Sequence, residues 1–380
     1  MSSACDDCLR RALLLGRLAP FIERVATGES GRRSPELLAN EDEALISAVA
    51  SRRRGELIAA HRTADPSALR ERVESARCWA VCRHDSGYPA SLADHDAQAP
   101  AALFGRGPLD AVASLDPGAS VTVVGARRAT AYGMGVAEEL ARMLARAGMV
   151  IVSGLANGID ARAHAGALEG GGVTLAVLGG GADVPYPRRQ ARLYDRILAQ
   201  GGVVLSELPP GTPSFRWSFP ARNRIMAALA GMTVVVEAAE RSGSLITAGM
   251  ALDLGRTVGA VPGPVNAWMS TGTNQLLVDG ASLIRDAQDV LDRLLGAGRR
   301  EVRELGPDIE PELEAVLDGV EGSESTCDAV ALSSGIPARV AATALARLEL
   351  LGYLSSDATG RYSRTPLRRP RRDAVATSYD

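Results

Sequence analysis

The chain of 380 residues contains no lysine, so all 42 of its basic residues are arginine. This absence excludes a Walker A phosphate loop, a kinase-type lysine, a Schiff-base lysine and a lysine general base. Aromatic residues are scarce, at 4%. No run of about 18 apolar residues is present, so no membrane-spanning helix is expected. The start of the chain, MSSACDDCLRRALLLGRL, puts acids before a short apolar stretch and lacks the layout of a signal peptide. Five cysteines, few and odd in number, point to a reducing cytoplasm rather than a disulfide framework. What is present is ordinary for a folded protein, with 46% hydrophobic and 23% charged residues. Forty glycines and twenty prolines add many tight turns.

The pattern divides the chain. Residues 1–80, rich in Leu, Ala, Arg and Glu, read as a small helical module, and 81–119 as a connector leading into a core. Residues 120–296 carry short β-branched runs: Val121–Val124, Val150–Ser153, Val173–Leu178, Val203–Ser206, Met232–Glu237 and Thr257–Val261. Between them lie helix-period segments. Val136, Leu140, Met143, Leu144 and Ala147, for example, share one helical face. Strands apolar throughout and alternating with helices predict an α/β fold, a doubly wound, Rossmann-like parallel sheet covered on both faces. Residues 297–310 form a charged linker. Residues 311–365 give three short helical patterns and a hairpin around Thr359-Gly360, the layout of a winged helix. Residues 366–380 are an arginine-rich tail expected to be disordered.

Two glycine-rich turns follow the first two core strands, Gly125-Ala126-Arg127-Arg128 and Ser153-Gly154-Leu155-Ala156-Asn157-Gly158. Such turns expose backbone N–H groups at the positive end of a helix dipole, where phosphates bind. The spacing is not G-x-G-x-x-G and no ribose-binding acid follows the second strand, so no dinucleotide cofactor is expected. In a parallel sheet both turns share the carboxyl edge and flank one crevice. Arg127 adds a bidentate phosphate donor. Arg222 and Arg224, on either side of Asn223, offer two more donors and an amide. Ser242 and Gly243 open a later helix as an anion nest. Each feature also has a plain structural explanation: glycines serving turns, arginines on a solvated face.

Together these segments resemble the DNA-processing protein A (DprA, also called Smf) family. The matching pieces, in the family's order, include VVGARRATAYG, SGLANGIDARAH, FPARNRIMAALA and ERSGSLITAGMALDLGR. The resemblance covers roughly residues 120–290, and the C-terminal pattern also looks like the family's third domain. It implies an extended Rossmann-like core that binds single-stranded DNA, protects incoming DNA in natural transformation and loads the recombinase RecA. It implies a homodimer, with no catalytic reaction, cofactor or membrane. By motif, the DNA-binding positions would be Arg127, Ser153, Gly154, Arg222, Asn223 and Arg224, and the reading of the turns themselves adds Gly125, Ser242 and Gly243.

Charge qualifies this. Residues 120–290 hold 15 arginines and 13 acids, so the positive field must be local to the loops. With few aromatics, phosphate contact should outweigh base stacking. Residues 306–364 hold 10 acids and 4 arginines, which favours a protein-interaction or regulatory role for the winged helix over duplex reading. The alternative reading is a nucleotide-binding or nucleotide-hydrolysing enzyme of a related Rossmann-like family. Its P-G-G-x-G-T-x-x-E motif is not assembled by Val261-Pro262-Gly263-Pro264 and Thr271-Gly272-Thr273. Asp160 and His164, spaced i, i+4, could be an acid–base pair or purely structural. Cys5, Cys8, Cys78 and Cys82 have nearly zinc-like spacing, and the pattern leaves a metal clip and helix-core cysteines both open.

Overall fold

The computed structural model describes residues 4–26, 34–94, 98–299, 306–320, 326–357, 359–365 and 367. The linker residues 300–305 and nearly all of the arginine-rich tail lie outside them. The chain divides into two compact units, Met1–Glu301 and Val302–Asp380.

The first unit is built on a nine-stranded sheet: β1 (Trp79–Cys82), β2 (Ala102–Arg106), β3 (Ser120–Val124), β4 (Val150–Ser153), β5 (Thr174–Val177), β6 (Val203–Ser206), β7 (Met232–Val235), β8 (Thr257–Ala260) and β9 (Ser282–Leu283). Their order is β1-β2-β6-β5-β4-β3-β7-β8-β9. From β6 to β9 every pairing is parallel, with Val121 opposite both Ile151 and Met232. The Rossmann-like core is therefore as expected. Its strands are buried along nearly their whole length because helices cover both faces. β3 is where the winding reverses. The chain runs from it through β4, β5 and β6 in one direction, then returns to its other side as β7.

Residues 81–119 are not merely a connector. They supply β2 and the last two residues of β1, and β2 pairs antiparallel with β6, extending the sheet. Nor do the first 80 residues stand apart. The helix Asp6–Ala26 buries Leu14, Leu15, Leu18, Ala19 and Ile22 in one cluster with Leu208, Trp217 and Ala221 of the core. Trp217 Nε1 donates to the Ala19 carbonyl at 3.0 Å. A module of about 80 residues buries a limited core of its own, and this one shares its apolar cluster with the sheet domain.

The helix Ser218–Leu229 is the element that matters most for the site. Ala221–Leu229 are all buried, between the sheet and the N-terminal helices. Its last carbonyls lack intrahelical donors. Two buried hydroxyls of β3 meet them: Thr122 donates to the Met226 carbonyl at 2.8 Å and Ser120 to that of Leu229 at 2.9 Å. This fixes how the helix sits over β3.

The second unit contains helices Pro311–Gly319, Cys327–Ser334 and Ala338–Leu350, then a hairpin of β10 (Leu354–Ser356) and β11 (Tyr362–Arg364). Leu313, Leu317, Leu345, Leu348 and Tyr353 form its core. Gly335, at φ +65°, ends the middle helix in the left-handed conformation.

Candidate nucleic-acid interface

A crevice with a cavity volume of about 940 Å³ opens at the carboxyl edge of the sheet, above β3 and β7. This is the switch point at which open α/β sheets hold ligands. It is lined by the turns after β3, β4 and β7, the start of the helix Ser218–Leu229, and residues near Trp268. Five arginines, Arg127, Arg128, Arg216, Arg222 and Arg241, face two carboxylates, Asp160 and Glu240. The local excess of positive charge required by the near-neutral total is therefore present.

Arg222 lies at the crevice yet is only 6% exposed. Its Nη1 donates to the Val177 carbonyl at 2.5 Å, and Nη2 stands 3.9 Å from Asp160 Oδ2. Its Nε is buried and has no hydrogen-bond partner among the described residues. Burial lowers its pKa to about 10, with the Asp160 charge opposing and Arg127 adding to the shift. The group remains cationic at neutral pH. Burial raises the Asp160 pKa, while Arg222 and two backbone amides pull the other way.

Arg127 is exposed and lies 5.0 Å from the centroid of Phe219, whose ring in turn packs against Tyr186 at 5.4 Å. Asn223 lines the crevice and reaches the Gly243 carbonyl at 3.5 Å, bridging the helix to the turn after β7. Ser242 caps the helix Gly243–Asp253, its hydroxyl accepting from the Ser244 amide at 3.4 Å. A Cβ at Gly243 would meet nothing within 4 Å, so that turn is open.

The structure corrects several expected donors. Several backbone amides of the first two turns are already engaged. Ala126 N–H donates to the Glu237 carbonyl at 2.7 Å. The Glu237 carboxylate takes the Thr130 amide and hydroxyl, each at 2.8 Å, and so occupies the start of the helix Ala131–Arg146. Gly154 N–H donates to Asp160 at 3.1 Å. Internal carboxylates thus take the place anticipated for phosphate. Gly125 serves close approach instead, since a Cβ there would lie 2.6 Å from Ile159. Gly158, at φ +77°, lets the second turn cross the first, where a Cβ would stand 2.2 Å from the Ala126 carbonyl oxygen. Ser153 is fully buried, its hydroxyl donating to the Val123 carbonyl at 2.6 Å.

Arg224 is not at the crevice. It is 5% exposed and spends its donors on Glu207 (2.6 Å), the Gln98 carbonyl (2.8 Å) and the Ala221 carbonyl (2.7 Å). Two positions along a helix are separated by about 200°, so Arg222 and Arg224 cannot face the same cleft. The Asp160–His164 pair is structural as well. His164 is fully buried with Nδ1 2.7 Å from the Thr174 hydroxyl, which itself donates to the Ile151 carbonyl. Burial first, then Arg222, lowers its pKa to about 3.

Three lining residues were missed as donors: Arg128, Arg216 and Arg241. Their signal was adjacency to Arg127, to the FPARNR segment and to Ser242. The aromatics also rearrange. Trp217 and Phe215 pack with the N-terminal helices, whereas Tyr186 (47% exposed) and Trp268 (72% exposed) reach the crevice. Stacking surface is therefore greater than composition implied.

The fold and the site together define the class: a Rossmann-like sheet with a basic, aromatic-rimmed crevice at its switch point. Comparison with known proteins narrows the class. A family model described as DNA recombination-mediator protein A matches residues 79–295. A putative DNA processing protein DprA of Mycobacterium tuberculosis is 44% identical over 268 residues, 67% of this chain and 66% of that protein's own length, slightly under two thirds. Protein Smf of Escherichia coli is 38% identical over 305 residues, 76% of this chain and 79% of that protein. The X-ray structure of DNA processing protein A from Streptococcus pneumoniae superposes with a TM-score of 0.59 at 33% identity, covering 76% of this chain and 98% of that one. The chain belongs to the DNA recombination-mediator protein A family, whose members carry the names DprA and Smf.

Proposed function

We propose that this protein binds single-stranded DNA in the crevice, protects incoming strands, and delivers them to the RecA recombinase during natural transformation, without catalysing a reaction. The observation that carries the reading is the arginine set around the crevice, with the unpartnered Nε of Arg222 at its base. A chain of phosphates meets bidentate donors there, and Trp268 and Tyr186 offer open faces to unstacked bases. A duplex presents its bases stacked and turned inward, so it can use only the arginines. The test is fluorescence anisotropy of a labelled unstructured oligonucleotide against its duplex at one salt concentration. Tighter binding of the single strand is expected, and equal affinity would overturn the reading. RecA delivery is tested separately, by RecA filament assembly on a strand precoated with single-strand-binding protein. Faster assembly in the presence of this protein is expected.

The functional form in this reading is a cytoplasmic homodimer. Among the described residues β9 pairs on one side only, and the elements at that end of the sheet expose Leu252, Val278 and Leu283, at 59%, 80% and 48%. A second copy covering this edge sets two crevices on one strand, and each weak site raises the effective concentration at the other. Leu283→Arg should give a monomer by light scattering and weaken binding to long oligonucleotides more than to short ones. The C-terminal unit acts as an acidic winged helix that contacts protein. It exposes Leu332 and Leu350, at 86% and 88%, and its Arg347 is paired with Glu310.

A further inference from the structure

A group of ligating side chains lies outside the crevice. The Sγ atoms of Cys5, Cys8 and Cys82 and a ring nitrogen of His84 all fall within 4.8 Å of one another. Cys78, grouped with them by spacing alone, is not a member. Its Sγ donates to the Ala76 carbonyl at 3.7 Å. We propose that Cys5, Cys8, Cys82 and His84 form a structural zinc site that fastens the start of the first helix to the end of β1.

The geometry suits the ion. His84 Nδ1 stands 3.4 Å from Cys5 Sγ and 3.6 Å from Cys8 Sγ. In a tetrahedron with Zn–S of about 2.3 Å and Zn–N of about 2.0–2.1 Å, the sulfur–nitrogen edge is about 3.5–3.6 Å. Cys5 and Cys8 stand one helical turn apart at the head of Asp6–Ala26 and so share a face. Cys82 closes β1, and His84 follows in the turn beyond it. The Cys5 amide donates to Cys82 Sγ at 3.4 Å, the kind of outer hydrogen bond that orients a metal-bound thiolate. Three soft sulfurs and an imidazole select zinc over magnesium or calcium. Four protein ligands leave no open position, so the site is structural rather than catalytic. It would tie together positions 77 apart in the chain, adding to the apolar packing of the N-terminal helix with Leu69, Val73, Phe104 and Ala182 and to the Arg70–Asp6 ion pair at 2.6 Å.

The test uses the full chain, expressed with zinc supplementation and purified without chelator. Elemental analysis should find one zinc per chain, released by a thiol-modifying reagent. Cys78→Ser should keep the ion and Cys82→Ser should lose it. His84→Cys keeps four ligands and should still bind. Its cobalt-substituted form should show visible bands shifted from those of the wild type, because a nitrogen ligand has become sulfur. That variant decides the matter if Cys82→Ser does not fold. Folded wild-type protein free of zinc, a disulfide between any two of Cys5, Cys8 and Cys82, full zinc in folded Cys82→Ser, or an unshifted cobalt spectrum in His84→Cys would each overturn the proposal.

Discussion

The guanidinium of Arg222 lies against the backbone of Gly154, so close that a Cβ on Gly154 would stand 1.6 Å from Nη1. The glycine of the second turn is thus the seat of an arginine that another element supplies. Arg222 is also held by the Val177 carbonyl, so it cannot simply swing aside. Gly154→Ala should therefore lower stability by about 1–3 kcal/mol, the cost of overpacking a filled interior. It should also displace the buried cation from the crevice. The check is urea unfolding together with single-strand affinity. A variant as stable as wild type, with unchanged affinity, would show that Arg222 has room to move.

Arg224 tests the opposite role. It pairs with Glu207 at 2.6 Å, and the two side chains are 5% and 10% exposed. Arg224→Ala leaves a buried carboxylate without its partner, which costs roughly 3–5 kcal/mol. Replacing both partners with apolar residues of similar length should cost far less. Under conditions where Arg224→Ala stays folded, the salt dependence of DNA binding should match wild type. A shallower slope would return this residue to the DNA contact set.

The contrast between these two arginines shows where sequence reading stops. The RNR segment is visible as a basic cluster, but only helical geometry separates a cleft residue from a core residue two positions on. The six core strands were legible because apolar β-branched runs, buried on both faces, have few other readings. β1 and β2 were not: each is only four or five residues long, and β2 lies between Pro100 and Pro108, so both resemble loop. The glycine turns were legible as turns, but their occupants were not. Glu237 reaches the amide of Thr130 from 107 residues away, and no local spacing announces that contact.

His164 should make stability depend on acid. Its unfolded pKa is near 6.5 and its folded value is lowered to about 3. Between those limits the unfolded chain binds more protons, so stability is full above pH 6.5 and falls as the pH drops toward 3. The slope approaches about 1.4 kcal/mol per pH unit in the middle of the window. Asp160 works in the opposite sense just above its unfolded pKa, because burial raises its folded value. Comparison with His164→Asn, which can still donate to Thr174, isolates the histidine. The urea midpoint of wild type should fall more steeply from pH 7 to pH 5 than that of the variant. Parallel curves would mean that the imidazole gains a proton in the fold as readily as in the unfolded chain.

Arg127 carries the most direct test of the crevice. Its side chain is exposed, stacked on Phe219, and paired with no carboxylate in the described crevice. Removing it leaves no buried charge behind, so thermal stability should stay within about 0.5 kcal/mol of wild type. Binding should respond differently. Loss of one charge-assisted hydrogen bond to phosphate weakens single-strand affinity by about 1–3 kcal/mol. One fewer counterion is then released, so the slope of log affinity against log salt should fall by about 0.7. Arg216→Ala and Arg241→Ala should behave alike, because both side chains are exposed on the same crevice. Arg224→Ala supplies the control, with stability lost and slope retained. If Arg127→Ala keeps both affinity and slope between low and moderate salt, the strand does not cross the carboxyl edge of β3, and the arginines at 368–372 become the next place to look.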